Sequence, residues 1–199
     1  MKNNPFRHAQ FLTSAPELRK MPADTGAEIA FAGRSNAGKS SALNAICDQS
    51  SLARTSKTPG RTQLLNVFGL EEGKRLVDLP GYGYAKVPEA MRVRWREVID
   101  TYLRERESLK GVVLIMDSRH PLREFDQQML VFCRDIGIAC HCLLTKADKL
   151  SRSEGARTLA LARKEIAALG SNATAQLFSA PAKTGLDEAR GTLAGLLTA

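Results

Sequence analysis

The sequence predicts an α/β domain: a central sheet, parallel apart from one strand, with helices on both faces. Three observations carry this expectation. Short aliphatic and β-branched runs alternate with longer stretches of helical period. A glycine-rich segment, GRSNAGKSS (Gly33–Ser41), lies directly between one such run and one such stretch. Two aspartate-bearing segments, VDLPG and TKAD, end later runs, at the strand ends where open α/β sheets bind their ligands.

The elements follow in order. EIAFA at 28–32 reads as a buried strand, and the glycine loop leads into a helix over 39–47. SSLARTSKTPGRT at 50–62 is polar with one Pro-Gly pair, which is loop chemistry. QLLNVFGL at 63–70 and KRLVDL at 74–79, separated by EEG, predict a hairpin. VVLIMD at 112–117, CHCLLT at 140–145 and AQLFS at 175–179 predict three further buried strands. Helical periods cover 88–107, 122–136, 152–169 and 185–197. No internal repeat, low-complexity tract or linker interrupts the pattern. We therefore expect a ligand-binding domain over 28–199, with residues 1–27 an N-terminal extension packed on it.

Composition narrows the class. With 199 residues, 43% hydrophobic and 25% charged, the chain is ordinary for one soluble globular domain. VVLIM, its longest aliphatic run, is far too short to span a bilayer. The N-terminal stretch is basic but lacks the apolar centre of a signal peptide, and Glu17 and Asp24 argue against a transit peptide. These features predict a cytoplasmic protein with no membrane partner. Cys47, Cys133, Cys140 and Cys142 match no zinc spacing, because the side chains of Cys140, His141 and Cys142 would alternate across a strand. Reduced, partly buried thiols are expected. The net charge of +8 raises the odds of a nucleic-acid or acidic partner, although a merely soluble basic protein would carry it too.

Gly33-x4-Gly38-Lys39-Ser40 matches the phosphate-binding loop pattern G-x-x-x-x-G-K-[ST]. Its glycines let backbone N–H groups converge on phosphate oxygens, and the following helix adds the positive end of its dipole. Residues Arg34, Ser35, Asn36 and Ala37 complete the cradle, and Ser41 follows it. Lys39 would reach the β- and γ-phosphates, and the Ser40 hydroxyl would ligate Mg²⁺. Asp78-Leu79-Pro80-Gly81 is a second element: the carboxylate can hold Mg²⁺ through water, and the Gly81 N–H can meet the γ-phosphate. Taken alone, any Pro-Gly turn after a strand would supply it. Thr145-Lys146-Ala147-Asp148 selects the base. A carboxylate accepts hydrogen bonds from guanine's ring N–H and amino group together, whereas adenine would leave it unsatisfied, at about 1–3 kcal/mol. Lys146 can lay its stem along the base plane.

GRSNAGKS, TPGRTQ, DLPGYGYA, TKAD and FSA together resemble the EngB family of bacterial GTP-binding proteins (also called YihA or YsxC). The similarity runs from FLTSAPELRKMP at 11–22 to the last helix. It implies a P-loop GTPase fold and a GTP/GDP switch implicated in assembly of the large ribosomal subunit, required for normal growth and cell division. The partners it implies are that subunit or its precursor, both rRNA and ribosomal proteins, met by a monomer. It also implies that Thr62 is the switch threonine that ligates Mg²⁺, a choice the residues alone leave open among Thr55, Thr58 and Thr62. By the same resemblance, Gly60, Arg61, Thr62, Gln63 and Leu64 line the nucleotide, and Phe178, Ser179 and Ala180 close over the guanine. Segments 50–62 and 81–90 become switches.

The catalytic set would be Lys39, Thr62 and Gly81, with Ser40, Thr62 and Asp78 on the metal. Many GTPases place a water-orienting glutamine after the D-x-x-G glycine; here Tyr82 stands there. Slow hydrolysis is therefore expected, with three possible remedies: a potassium ion held by Asn36, Arg61 acting as an arginine finger, or a group supplied by a partner. A module that senses nucleotide with negligible turnover is the alternative. Thr145, where many relatives carry asparagine, lacks an amide that could brace the loop, so modest guanine affinity is expected. The stretch 86–110 is rich in arginine, with Met91, Trp95, Val98, Ile99 and Tyr102 on one apolar face. Its arginines stand among Glu97, Asp100 and Glu105, so a solvated helix competes with an RNA-binding stripe.

Overall fold

The computed structural model describes residues 4–53, 64–82 and 89–199. Gly60, Arg61, Thr62 and Gln63 lie outside them, as do the side chains of Met91 and Trp95. Among the described residues, seven strands form one sheet: β1 (Gln10–Ala15), β2 (Ala27–Gly33), β3 (Leu65–Gly69), β4 (Lys74–Asp78), β5 (Leu109–Asp117), β6 (Ala139–Thr145) and β7 (Thr174–Leu177). Their spatial order is β1-β3-β4-β2-β5-β6-β7. β3 runs antiparallel to both its neighbours, and every other pairing is parallel. Among the described residues, five α-helices complete the fold: α1 (Lys39–Ile46), α2 (Glu89–Glu105), α3 (Glu124–Asp135), α4 (Arg152–Ala168) and α5 (Leu186–Leu196). No described helix is long and apolar enough to cross a membrane.

Period-two alternation divides the core. On β2, Ala30 and Ala32 face one cluster, with Tyr102 and Leu103 of α2, Leu130 of α3 and Ile166 of α4. Ile29 and Phe31 face the other, with Leu43 and Ile46 of α1 and Leu193 of α5. Helices therefore cover both faces. Chain order reverses at β2, which has β4 on one side and β5 on the other, so a crevice opens beyond its carboxyl end. The glycine loop follows β2 directly.

The sequence missed β1. FLTSA shows no clean alternation, and its register against β3 shifts between Phe11 and Thr13. Phe11 rests edge-on against Phe68 on an otherwise exposed edge, with centroids 6.0 Å apart. The hairpin between β3 and β4 turns through Glu72 and Gly73, both at left-handed φ.

At the amino end of β2 the core holds ions. Glu28 is fully buried and accepts from Arg75 Nε at 2.6 Å, Arg106 Nη2 at 2.6 Å and the Tyr102 hydroxyl at 3.1 Å. Arg106 also donates to the Pro22 carbonyl, and Asp24 accepts the N–H groups of Glu107 and Ser108. This network fastens the chain before β2 to the end of α2. All four cysteines are buried and unpaired.

Candidate nucleotide-binding site

The loop from Gly33 to Ser41 is shaped by what surrounds it. A Cβ on Gly33 would stand 2.7 Å from the Ile115 carbonyl, so close packing against β5 requires glycine there. Gly38 has φ of 98°, and Asn36 also takes a left-handed φ, which turns the loop sharply into α1. The N-cap residue of α1 is Gly38, which has no side chain to cap the helix. Its leading N–H groups and dipole thus face the loop's concavity.

Two of the side chains expected to handle phosphate and metal, Lys39 and Asp78, meet here. Lys39 Nζ is hydrogen-bonded to Asp78 Oδ1, and both side chains are largely buried. Asp78 ends β4, and the Leu79 N–H donates to Phe31 O of β2 at 3.0 Å, which fixes the strand end beside the loop. Leu79 and Pro80 are buried. A Cβ on Gly81 would meet the Ser35 N no closer than 3.5 Å, so the protein itself does not demand glycine there. Asp78 and Ser40 offer hard oxygen donors of the kind that suit Mg²⁺.

β6 brings the base motif to the same edge. Thr145 pairs in register with Asp117 of β5, and its hydroxyl contacts the Ala37 carbonyl as well as that of Met116. The loss of bracing expected at Thr145 is therefore made good by its hydroxyl. Lys146, at left-handed φ, donates to Asn36 O at 2.7 Å and to Asp117 Oδ2 at 2.9 Å. One lysine thus ties the base motif to the phosphate loop. Asp148 Oδ1 accepts from the Ser179 hydroxyl at 2.6 Å, which together with Lys149 holds its carboxyl below the usual range. Asp148 is anionic and aimed by Ser179.

The FSA segment is anchored to the sheet and to the base motif. Phe178 is buried in the core, and its N–H donates to Leu144 O, while Ser179 N–H donates to Thr184 O. The Phe178 carbonyl accepts the Ala147 N–H, so the two base-side segments brace each other. Ala180 follows at the surface side of this turn, Ser41 is exposed beyond the loop, and Leu64 is half-buried before β3.

Sequence reasoning passed over two carboxylates. Asp117 is gripped by Arg119 through both Nε and Nη2, and then by Lys146; these partners keep its carboxyl well below the usual range. A signal existed, since Asp117 ends a buried strand as Asp78 does. Asp126, at the start of α3, accepts the Tyr82 hydroxyl at 2.8 Å. Tyr82 therefore points toward α3. A cavity of about 280 Å³ beside the loop is lined by Arg34, Asn36, Asp117, Arg119, Arg123 and Lys146 among others.

A phosphate-type loop at the switch point, an aspartate facing its lysine, and a base motif tied to the loop define a P-loop GTPase domain. A family described as 50S ribosome-binding GTPase matches residues 28–146. The chain is 54% identical over 188 residues to a probable GTP-binding protein EngB of Coxiella burnetii, covering 94% of this chain and 92% of that protein. It is 52% identical over 193 residues to the Escherichia coli protein of the same description, covering 97% and 92%. The crystal structure of a probable GTP-binding protein engB superposes with a TM-score of 0.66 at 20% identity, over 86% of this chain and 99% of that one, a likeness of fold. The chain belongs to the EngB family of GTP-binding proteins.

Proposed function

We propose that this protein is a slow GTP-hydrolysing switch that acts in assembly of the large ribosomal subunit, as a cytoplasmic monomer. The observation that carries the nucleotide part is the Lys146 bridge, which joins a guanine-type motif to the phosphate loop in one rigid site. N–H groups of the loop cradle the phosphates, and Lys39 exchanges its Asp78 partner for phosphate oxygens. Asp148 accepts from the guanine edge. With the N–H groups of Phe178 and Ser179 already engaged, Ala180 supplies the one of these three that addresses the base carbonyl oxygen. Ser40, Asp78 and Thr62 would hold Mg²⁺, which would neutralise phosphate charge. Gly81 addresses the terminal phosphate. Gly60, Arg61, Gln63 and Leu64 line the nucleotide from the first switch.

Turnover is slow because Tyr82 stands where many GTPases carry a glutamine and offers no amide to a water. A potassium ion at Asn36, Arg61 acting as an arginine finger, or a group from the ribosomal partner would raise the rate. The same tyrosine favours one other reading, a nucleotide sensor with negligible turnover. Support for the ribosomal role comes from the family match described as 50S ribosome-binding and from the net charge of +8, which suits an RNA-rich partner.

The test is co-sedimentation with large subunits and their precursors, alongside phosphate release with and without potassium. The switch reading expects several-fold more protein pelleted with a non-hydrolysable GTP analogue than with GDP, and faster release with particles present. Equal pelleting in both states would contradict it. No release under any condition would favour the sensor.

A further inference from the structure

Tyr82 is held from two sides. Along the backbone, Ser35 N–H donates to the Tyr82 carbonyl at 2.9 Å, and the Tyr82 N–H donates to the Gly33 carbonyl at 3.3 Å. The start of the second switch is thus zipped to the phosphate loop. Through the side chain, the hydroxyl donates to Asp126 Oδ1 at 2.8 Å, and the ring leans on Phe125 with centroids 5.9 Å apart. Asp126 is itself immobilised: it is 1% exposed, and its Oδ2 accepts the Arg123 N–H at 3.0 Å. Burial, and then the Asp126 carboxylate, push the phenol's pKa well above its ordinary value, so it remains a donor.

Gly81, one residue earlier, consequently lies against the loop, with its missing Cβ 3.5 Å from Ser35 N and 3.7 Å from Gly33 O. We propose that the Tyr82–Asp126 hydrogen bond is a latch that holds the start of the second switch against the phosphate loop and thereby sets the discrimination between GDP and GTP. The inference rests on the guanine-nucleotide function proposed above. Its physical basis is differential: only a triphosphate carries the group that Gly81 addresses. Gly81 can swing toward that group only if its neighbour Tyr82 moves, and Tyr82 is tied to α3. Breaking the tie is a cost that the triphosphate complex alone meets, and a ligand shifts an equilibrium only by such a difference. Tyr82 is a positioning residue here, acting through Gly81.

Calorimetry of GDP and of a non-hydrolysable GTP analogue, at fixed Mg²⁺, tests the latch. Tyr82→Phe keeps the ring and removes the hydroxyl. GDP affinity is expected to stay within about twofold, while analogue affinity tightens by about fivefold, the scale of one net hydrogen bond. Adding Asp126→Ala, which removes the acceptor, to that variant should shift the ratio no further, since the two groups act as one unit. If Tyr82→Phe fails to fold, Asp126→Ala alone must move the ratio in the same direction. A GDP-to-analogue ratio that stays at the wild-type value, or affinities that move together, would overturn the latch. Wild-type protein that binds adenine nucleotides as well as guanine ones would instead sink the underlying function, a distinguishable result.

Discussion

His141 shows how a single residue in the middle of a sheet can make the fold sensitive to pH. It sits on β6, buried, with Nδ1 against the Thr174 hydroxyl at 2.7 Å and Nε2 against Gln176 Oε1 at 2.9 Å. Burial lowers its pKa, against weaker opposing effects of the Gln176 hydrogen bond and the Glu188 carboxylate. The unfolded chain takes up a proton near pH 6.5 while the folded protein resists it. The stability His141 contributes is therefore complete above that value and is lost as pH falls toward the folded pKa. Urea unfolding should give a lower stability at pH 5.5 than at pH 7.5, with a smaller difference for His141→Gln. An equal pH dependence in the variant would contradict this assignment. The same residue-scale logic explains why the charged site residues keep their charges: Asp117 and Asp148 each sit beside a committed donor, Arg119 and Ser179.

Among the elements, β2 links the two ends of the molecule. Its carboxyl end delivers the phosphate loop, and its amino end buries Glu28 between Arg75 and Arg106. Removing one partner of a buried ionic cluster leaves the others uncompensated. Glu28→Gln should cost about 3 kcal/mol in urea unfolding. A loss below about 1 kcal/mol would mean that the two arginines relax to solvent. The strands β2, β5 and β6 were legible because a continuous apolar run in a strand buried on both faces leaves few other readings. β1 was not, because an edge strand with an exposed Phe11 and a bulge lacks both alternation and a hydrophobic run. Tyr102 was placed on the apolar face of α2, but only the fold reveals that its hydroxyl serves Glu28.

For the molecule as a whole, the three phosphate and base segments were legible because each has a fixed spacing and falls at a strand end. Their convergence on one edge followed from the parallel sheet. Asp126 was not legible, because it is a lone carboxylate whose partner is set by helix placement, and for Asp117 the strand-end position was visible but its partners were not. The central claim is that this convergence binds guanine nucleotide through Asp148. Calorimetric titration with GDP, a non-hydrolysable GTP analogue and ATP, on wild-type protein and on Asp148→Asn, addresses it most directly. The account predicts binding of both guanine nucleotides, negligible ATP binding, and at least about tenfold weaker GDP binding in the variant, as for a lost charged hydrogen bond. ATP binding equal to GDP, or a variant indistinguishable from wild type, would contradict it.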